Sequence, residues 1–281
     1  STAFACISRA VADEFLALLE AIRFPRPMNI GYWTLGADFS ASADIGKSAT
    51  PSDSAERFLM VGTLEPRKGH SVALSAFDQL WAAGANVQLT LIGKRGWGVD
   101  GLIDRLNVHP ERGRRLIWME QVDDAGLATA YAQTTALIAS SYAEGFGLPI
   151  VEAGHFNKPV IASDLPVFRE VARFAPDARF FRPGDSAALA DTIRGFLTKD
   201  VSQVPHPCAP ACTWAHSAAA LKALILTEGW QLCYRPKVPS FDVSRSDLGV
   251  VRMTGPVELG GSLLSLVEGP APGPGGRADI I

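Results

Sequence analysis

The sequence predicts an α/β fold built on a Rossmann-like, doubly wound parallel sheet. From residue 57 onward, short β-rich runs alternate with helical segments, which is typical of βαβ units. In the first of those helical segments, the apolar residues of 72–80 fall mostly on one helical face, as expected for a helix that packs in the core. Ligands in such folds bind beside the carboxyl ends of the strands, so we expect function in the loops that follow strands.

Six strands alternate with six helices in this region, enough for a complete doubly wound domain. The strand candidates are Phe58–Gly62, Gln88–Ile92, Leu116–Met119, Ala136–Ala139, Val160–Ala162 and Arg179–Phe181. The helical stretches lie near 70–83, 99–107, 124–132, 149–156, 166–172 and 185–198.

Residues before 57 predict a separate, smaller unit. Ala3–Ile7 is predicted to form a strand, Ser8 to cap the following helix, Arg9–Ile22 to form that amphipathic helix, and Met28–Trp33 to form another strand. Residues 40–56 are rich in Ser, Ala and Asp and are predicted to form a linker.

The C-terminal part of the chain changes character twice. Cys212–Gly229 is predicted to be helical, with Trp214, Leu221 and Leu224 among its apolar residues. Residues 234–281 are rich in Pro and Gly and are predicted to be irregular, apart from a weak hairpin at 248–267.

The composition is ordinary for a globular protein that is free in solution. The 281 residues are 47% hydrophobic and 20% charged, and the net charge is −3, so nothing indicates a nucleic-acid partner. No apolar run is long enough to span a bilayer. Only four cysteines occur, which fits free thiols in a reducing cytoplasm, and we expect a cytoplasmic location.

Metal binding is considered for one segment and set aside. His206, Cys208, Cys212 and His216 offer four potential ligands, but their spacing is not that of known zinc sites and prolines interrupt them, which favours an unligated loop. The chain has no Asp-x-Asp triplet of the kind that holds a divalent ion on a diphosphate, so we expect no metal and no cofactor. No Gly-x-Gly-x-x-Gly follows the strand ending at Gly62, which disfavours a nicotinamide site.

The most informative stretch is 144–152, in which Glu144 and Glu152 bracket a glycine-bearing turn and the start of a helix. Gly145 and Gly147 allow the backbone to approach a bulky anionic ligand closely. Pro149 suits the first helical position, and the N–H groups exposed at that helix start form an anion-binding seat.

This stretch resembles the Glu-x7-Glu motif of retaining glycosyltransferases of the GT-B fold, in particular glycosyltransferase family 4. Three further segments resemble the same family in the same order. They are Arg57–Gly69 (Arg-Phe-Leu-Met-Val-Gly-Thr-Leu-Glu-Pro-Arg-Lys-Gly), Gln121–Gly126 and Lys158–Asp164. The resemblance extends over residues 1–230.

The resemblance implies the domain organisation. Residues 57–200 would be the donor-binding domain, the C-terminal half of a GT-B fold, and 201–233 a linker followed by the closing helix of the family. Residues 1–39, ending in Leu35–Asp38, resemble the last elements of the acceptor-binding N-terminal domain. Most of that domain would therefore be missing from the chain.

The resemblance also implies roles for residues after the first strand. Lys68 would offset the charge that builds on the departing diphosphate, with Arg67 as a second cation. Gly62 and Thr63 would line the donor site. Many members of the family carry Arg where this chain has Thr63, so one phosphate contact would be weaker or supplied by Arg67. Outside this context, the Arg-Lys pair would be interpreted as a solvated turn cap.

Glu144 would face the donor sugar, and Glu152 would accept hydrogen bonds from the ribose hydroxyls. The backbone amides of Phe146, Gly147 and Leu148 would contact the diphosphate. The competing interpretation makes Glu152 an ordinary exposed helix residue.

Val122 and Asp124 align with family positions that hold the base, and some relatives have a Lys where this chain has Leu127, so the identity of the base stays open. Trp97 either stacks on a sugar or caps the core.

The implied function is transfer of a hexose from a nucleotide-sugar to a glycan or lipid-linked acceptor, by a retaining, metal-independent mechanism. The segments around Lys68 and Trp97 resemble bacterial mannosyltransferases most, which makes GDP-mannose the first donor and UDP-sugars the next. Peripheral membrane association would come through the missing N-terminal domain. Two alternatives stay open: a non-catalytic nucleotide-sugar-binding module and a GT-B sugar-nucleotide epimerase.

Overall fold

The computed structural model describes residues 3–38, 55–198 and 212–236, and the backbone of four short strands in the C-terminal tail. The chain begins with strand β1 (Ala3–Cys6), helix α1 (Arg9–Ala21) and strand β2 (Met28–Tyr32). Ser8 caps α1, its hydroxyl oxygen accepting the N–H of Val11. The strands, the helix and the cap confirm the prediction for this region to within a residue at each end.

A six-stranded parallel sheet forms the main body of the molecule. Its strands are β3 (Glu56–Val61), β4 (Val87–Ile92), β5 (Leu116–Met119), β6 (Ala136–Ala139), β7 (Val160–Ser163) and β8 (Ala178–Phe181). The order across the sheet is β5-β4-β3-β6-β7-β8. The strand order therefore reverses between β3 and β6, and the crevice at their carboxyl ends is the topological switch point where such sheets bind ligands.

Helices cover both faces of this sheet. They are α2 (His70–Ala82), α3 (Asp100–Asn107), α4 (Asp124–Gln133), α5 (Leu148–His155), α6 (Pro166–Val171) and α7 (Ser186–Leu197). One core contains buried residues of α2, α3 and α7, and the other contains buried residues of α4, α5 and α6. The three layers confirm the predicted doubly wound α/β fold.

The last helix, α8 (Trp214–Leu226), returns to the N-terminal unit, where Leu224 packs against Gly31 of β2. Strand β9 (Leu232–Tyr234), which the sequence analysis did not predict, pairs antiparallel with β2, and the small sheet has the order β1-β2-β9. The three residues of β9 are too few to show a hydrophobic period, so only the tertiary structure defines it.

Two segments, residues 36–38 and 212–214, lie side by side at the boundary between the two units, and we call them the crossings. The N–H of Ala37 donates to the carbonyl of Cys212 at 2.8 Å, and the carboxylate of Asp38 accepts the N–H of Trp214 at 3.1 Å. A Cβ on Gly36 would lie 2.3 Å from the backbone of Thr213, so only glycine fits between the two crossings.

Parts of the predicted organisation lie outside the described residues, namely nearly all of the 40–56 linker and most of the segment between α7 and α8. In the tail, β10 (Asp242–Arg245) pairs antiparallel with β11 (Val251–Thr254), and β12 (Glu258–Leu259) with β13 (Ser262–Leu263). The tail therefore contains two antiparallel strand pairs, where the sequence predicted one hairpin at 248–267. No helix in the described ranges is long and apolar enough to cross a membrane.

Two glycines provide a matched test of the contact between the β3 and β6 loops. Gly69 has φ +70°, and a Cβ there would lie 2.0 Å from the carbonyl oxygen of Ser140, whereas Gly84 has φ +80° and open space around it. We expect Gly84→Ala to cost about 1 kcal/mol for the left-handed backbone alone. Gly69→Ala should cost about 3 kcal/mol, since it adds a clash in a packed region. Urea unfolding measures both, and equal losses would contradict the described packing.

Candidate functional site

The loops that follow β3 and β6 meet at the switch point of the sheet. The hydroxyl of Ser140 donates to the carbonyl of Gly69 at 2.9 Å, and the N–H of Tyr142 donates to the carbonyl of Arg67 at 2.7 Å. These two contacts, one from a side chain and one from the backbone, place Lys68 beside Glu144.

The carboxylate of Glu144 is the centre of a charged cluster. Its Oε1 lies 2.5 Å from Lys68 Nζ and accepts the Ser141 hydroxyl at 2.9 Å, while its Oε2 accepts Arg67 Nη1 at 3.1 Å. The side chains of Lys68 and Glu144 are only 16% and 10% exposed, whereas Arg67 is 46% exposed. The interpretation of the Arg-Lys pair as a solvated turn cap is therefore wrong for Lys68.

Arg67 is oriented from a second side. Its Nε lies 2.9 Å from Glu65 Oε2, at the start of the short 3₁₀ turn Pro66–Lys68. Gly69 ends that turn in the left-handed conformation. The turn therefore presents both cations towards the loop that follows β6.

Helix α5 begins beside this cluster. Gly147 precedes it with φ +98°, and a Cβ there would lie 2.9 Å from the ring of Phe168. No side chain caps the helix, and Pro149 occupies its second position. The ring of Phe146 is buried and Leu148 is half-buried, so these two residues have only backbone groups to offer a polar ligand.

Glu152 lies inside α5 and is half-buried rather than exposed. Its Oε2 accepts the hydroxyl of the fully buried Tyr131 at 2.6 Å. Burial raises the pKa of Glu152, and the Tyr131 hydrogen bond offsets part of that rise. Burial and the nearby carboxylate also raise the pKa of Tyr131 well above its usual value, so the phenol stays a hydrogen-bond donor. One oxygen of Glu152 is thereby fixed by α4.

The two residues expected to hold the base lie before and at the start of α4. Val122 packs, half-buried, against the core that also contains Phe146. Asp123 caps α4 by accepting the N–H of Gly126 at 2.8 Å, and Asp124 is exposed at the first helical position. Of the two adjacent acids, Asp124 is therefore the one whose carboxylate is not used as the cap.

The β3 and β4 loops lie against each other at the same edge of the sheet. Gly62 has φ +142°, and its carbonyl oxygen would be 1.9 Å from a Cβ on Gly93, so the backbones touch. Thr63 follows and is exposed. The side chain of Trp97 is 66% exposed, so the interpretation of this residue as a cap on the core is wrong.

His70, the first residue of α2, is a buried polar residue that the sequence analysis missed. Its side chain is 1% exposed, and neither ring nitrogen has a hydrogen-bond partner among the described residues. Burial, with the nearby charge of Lys68, lowers the pKa of His70 to about 4. The imidazole is therefore neutral at pH 7 beside the cation of the site.

Ser141 and Tyr131 were also missed. Ser141 is the second residue after the apolar strand β6, and a polar residue just after a strand is a signal that could have been used. Tyr131 gave no such signal, since nothing in its spacing connects it with Glu152.

Of the four potential metal ligands in the sequence, the structure describes only two. His206 and Cys208 lie outside them, whereas Cys212 lies at the crossing between the units and His216 contacts the hydroxyl of Thr213 at 2.9 Å. The described residues hold no group of three or more potential metal ligands.

A second concave region lies at the opposite, amino edge of the sheet. This cleft of about 390 Å³ is lined by Asp78, Trp81, Ala82, His109, Pro110, Glu111 and Arg115. Arg115 and Arg114 bind Glu111 and lower its pKa to about 2, and His109 contacts Asp78 at 2.8 Å. Since its charged groups pair with each other, we interpret this cleft as a structural network.

Comparison with known proteins identifies the family. Residues 43–207 match the family described as glycosyl transferases group 1, and the chain belongs to this family. The serotype-specific mannosyltransferase WbdA of Escherichia coli is 36% identical over 222 residues, covering 74% of this chain. The phosphatidyl-myo-inositol mannosyltransferase of Mycobacterium leprae is 32% identical over 187 residues, covering 65% of this chain. The chain spans only 27% and 46% of the lengths of these two relatives.

Solved structures agree on the fold. Sucrose-phosphate synthase from Thermosynechococcus elongatus superposes with a TM-score of 0.60 at 22% identity, covering 81% of this chain and 58% of that chain. HepE of Anabaena, solved with UDP and glucose, superposes with a TM-score of 0.53 at 21% identity, covering 78% and 57%. The fold is therefore that of the GT-B glycosyltransferases.

The buried imidazole predicts how stability depends on pH. Folding lowers the pKa of His70 from 6.5 to about 4, so the unfolded chain binds more protons between these values. The contribution of His70 to the free energy of unfolding should therefore fall as the pH drops below 6.5, by about 2 kcal/mol between pH 7.5 and pH 5. Urea titrations at the two pH values measure this loss.

The variant His70→Met is the control, because it removes the titration and keeps an uncharged buried side chain. It should lose about 2 kcal/mol less than the parent protein over the same pH interval. Glu111 does not interfere, because its pKa is lowered from 4.5 and its contribution is lost only below pH 5. Equal losses in both proteins would contradict the lowered pKa of His70.

Proposed function

We propose that this chain is the donor-binding part of a glycosyltransferase that transfers a hexose from a nucleotide-sugar to a glycan or lipid-linked acceptor. The main support is that Arg67, Lys68 and the loop starting at Glu144 meet at the topological switch point of the sheet. Family membership and the two mannosyltransferase relatives support the class of reaction. They also favour mannose as the sugar and GDP-mannose as the first donor to test.

The diphosphate of the donor would lie between the cation pair and the start of α5. Lys68 and Arg67 offer charge-assisted hydrogen bonds, and α5 offers the amides of Phe146, Gly147 and Leu148 at its N-terminus. The cation pair and these backbone amides both lie next to Glu144, so one diphosphate can contact them together.

The remaining parts of the donor would be held by groups around that seat. One oxygen of Glu152 is bound to Tyr131, which leaves the other to accept a ribose hydroxyl. Val122 offers an apolar surface to the base, and Asp124 an exposed carboxylate. At Gly62 and Gly145, the absence of a side chain lets the ligand approach the backbone.

The proposed reaction is a retaining displacement that requires no metal. The bond between the anomeric carbon and the diphosphate oxygen breaks, and the electron pair stays on that oxygen. The acceptor hydroxyl attacks the anomeric carbon from the same face and passes its proton to a diphosphate oxygen. Lys68 and Arg67 stabilise the charge on the leaving group, and Glu144 stabilises the positive charge that develops on the sugar.

Binding of nucleotides tests the site without an acceptor. In calorimetric titrations with GDP, UDP and GDP-mannose, Lys68→Ala should raise the Kd for the bound nucleotide by about tenfold or more, since it removes a charge-assisted phosphate contact. Glu152→Ala should raise it by about three- to tenfold.

The control variant is Lys222→Ala, which removes one exposed positive charge on α8. It should bind nucleotide as the parent protein does. If Lys68→Ala and Glu152→Ala also left the Kd unchanged, the site assignment would be wrong.

A further inference from the structure

Ser8 connects the N-terminal unit to the loop of the proposed donor site. Its side chain is fully buried, and its hydroxyl donates to the carbonyl of Gly145 at 2.9 Å. The same hydroxyl oxygen accepts the N–H of Val11 at 3.2 Å and so caps α1. One side chain thus has two separate tasks, one in each unit.

The start of α1 is anchored independently of Ser8. The carboxylate of Glu170, on α6, accepts the backbone N–H groups of Arg9 at 3.1 Å and Ala10 at 3.0 Å. A carboxylate at a helix N-terminus is favoured by the helix dipole and by the unpaired amides of the first turn. Glu170 therefore holds the capped end of α1 against the donor-binding domain, where Ser8 can reach Gly145.

The bond from Ser8 fixes the orientation of one peptide group in the site. Gly145 carries no side chain that could do so, and a Cβ there would lie 3.1 Å from Ile7, so there is little room for a substitute. In a planar trans peptide, the C=O and the next N–H point in opposite directions. When Ser8 binds the carbonyl of Gly145, the N–H of Phe146 must point away from the N-terminal unit.

We propose that Ser8 is a positioning residue for nucleotide binding, because it orients the Gly145–Phe146 peptide whose amide contacts the donor diphosphate. This inference rests on the proposed function. It adds that a residue of the N-terminal unit determines how tightly the donor-binding domain holds a nucleoside diphosphate.

Substitutions at Ser8 can separate the two tasks of its hydroxyl. Ser8→Thr keeps a hydroxyl that both caps α1 and donates to Gly145. Ser8→Gly removes this hydroxyl without adding charge, and it weakens the helix cap only slightly. Thr34→Val is the control for the seam, because it breaks the 3.0 Å bond between Thr34 and Arg173 without touching Gly145. All three are studied in the whole chain.

Calorimetric titrations with GDP and UDP, well below the unfolding temperature, give the decisive comparison. Ser8→Gly should raise the Kd for the bound nucleotide by about three- to tenfold, as expected for one lost hydrogen bond that orients the site. Ser8→Thr and Thr34→Val should stay within about twofold of the parent protein.

Three results would overturn the inference. Ser8→Gly could bind as tightly as the parent protein, Ser8→Thr could be as weak as Ser8→Gly, or Thr34→Val could weaken binding equally, which would indicate general loosening of the seam. A parent protein that binds neither GDP nor UDP would refute the proposed function itself and this inference with it. Normal binding by the parent protein with an unchanged Ser8→Gly variant refutes the inference alone.

Discussion

The candidate site depends on the ion pairs that the carboxylate of Glu144 forms with Lys68 and Arg67. This carboxylate accepts Lys68, Arg67 and Ser141, and it does so where little of the carboxylate is in contact with water. A charge pair in such a position interacts more strongly than one on the open surface, and removing one partner leaves the other uncompensated. The two loops are therefore held together by side-chain charge as well as by the backbone contacts beneath it. The geometry of any anion site at this edge follows from that pairing.

Most of the fold could be predicted because its elements are encoded locally. The six strands of the main sheet are short apolar runs, and their predicted limits agree with the structure to within two residues. The order of the strands could not be derived in the same way, because the pairing of β3 with β6 depends on contacts between distant segments. Strand β9 shows the same limit, since it exists only because β2 offers it a partner.

Some residues of the candidate site could be identified from the sequence, and others could not. Lys68 and Glu144 could be identified because each follows a strand within a recognisable motif. Tyr131 could not be identified, because its role rests on a hydrogen bond to Glu152 on another helix, and no sequence motif connects the two residues. His70 looks in the sequence like an ordinary residue at the start of a helix, and its burial is visible only in the folded structure. The residues proposed to contact the ligand belong to recognisable sequence motifs, whereas the residues that support them do not.

The paired crossings at Ala37 and Cys212 have a mechanical consequence. Two chain segments bonded side by side resist twisting, since a twist would stretch the Ala37–Cys212 hydrogen bond and press Gly36 into the backbone of Thr213. The start of α1 is bonded to the main domain at a different place, through Glu170 and Ser8. The N-terminal unit is thus attached at two separate places, so its orientation against the main sheet does not depend on one contact alone.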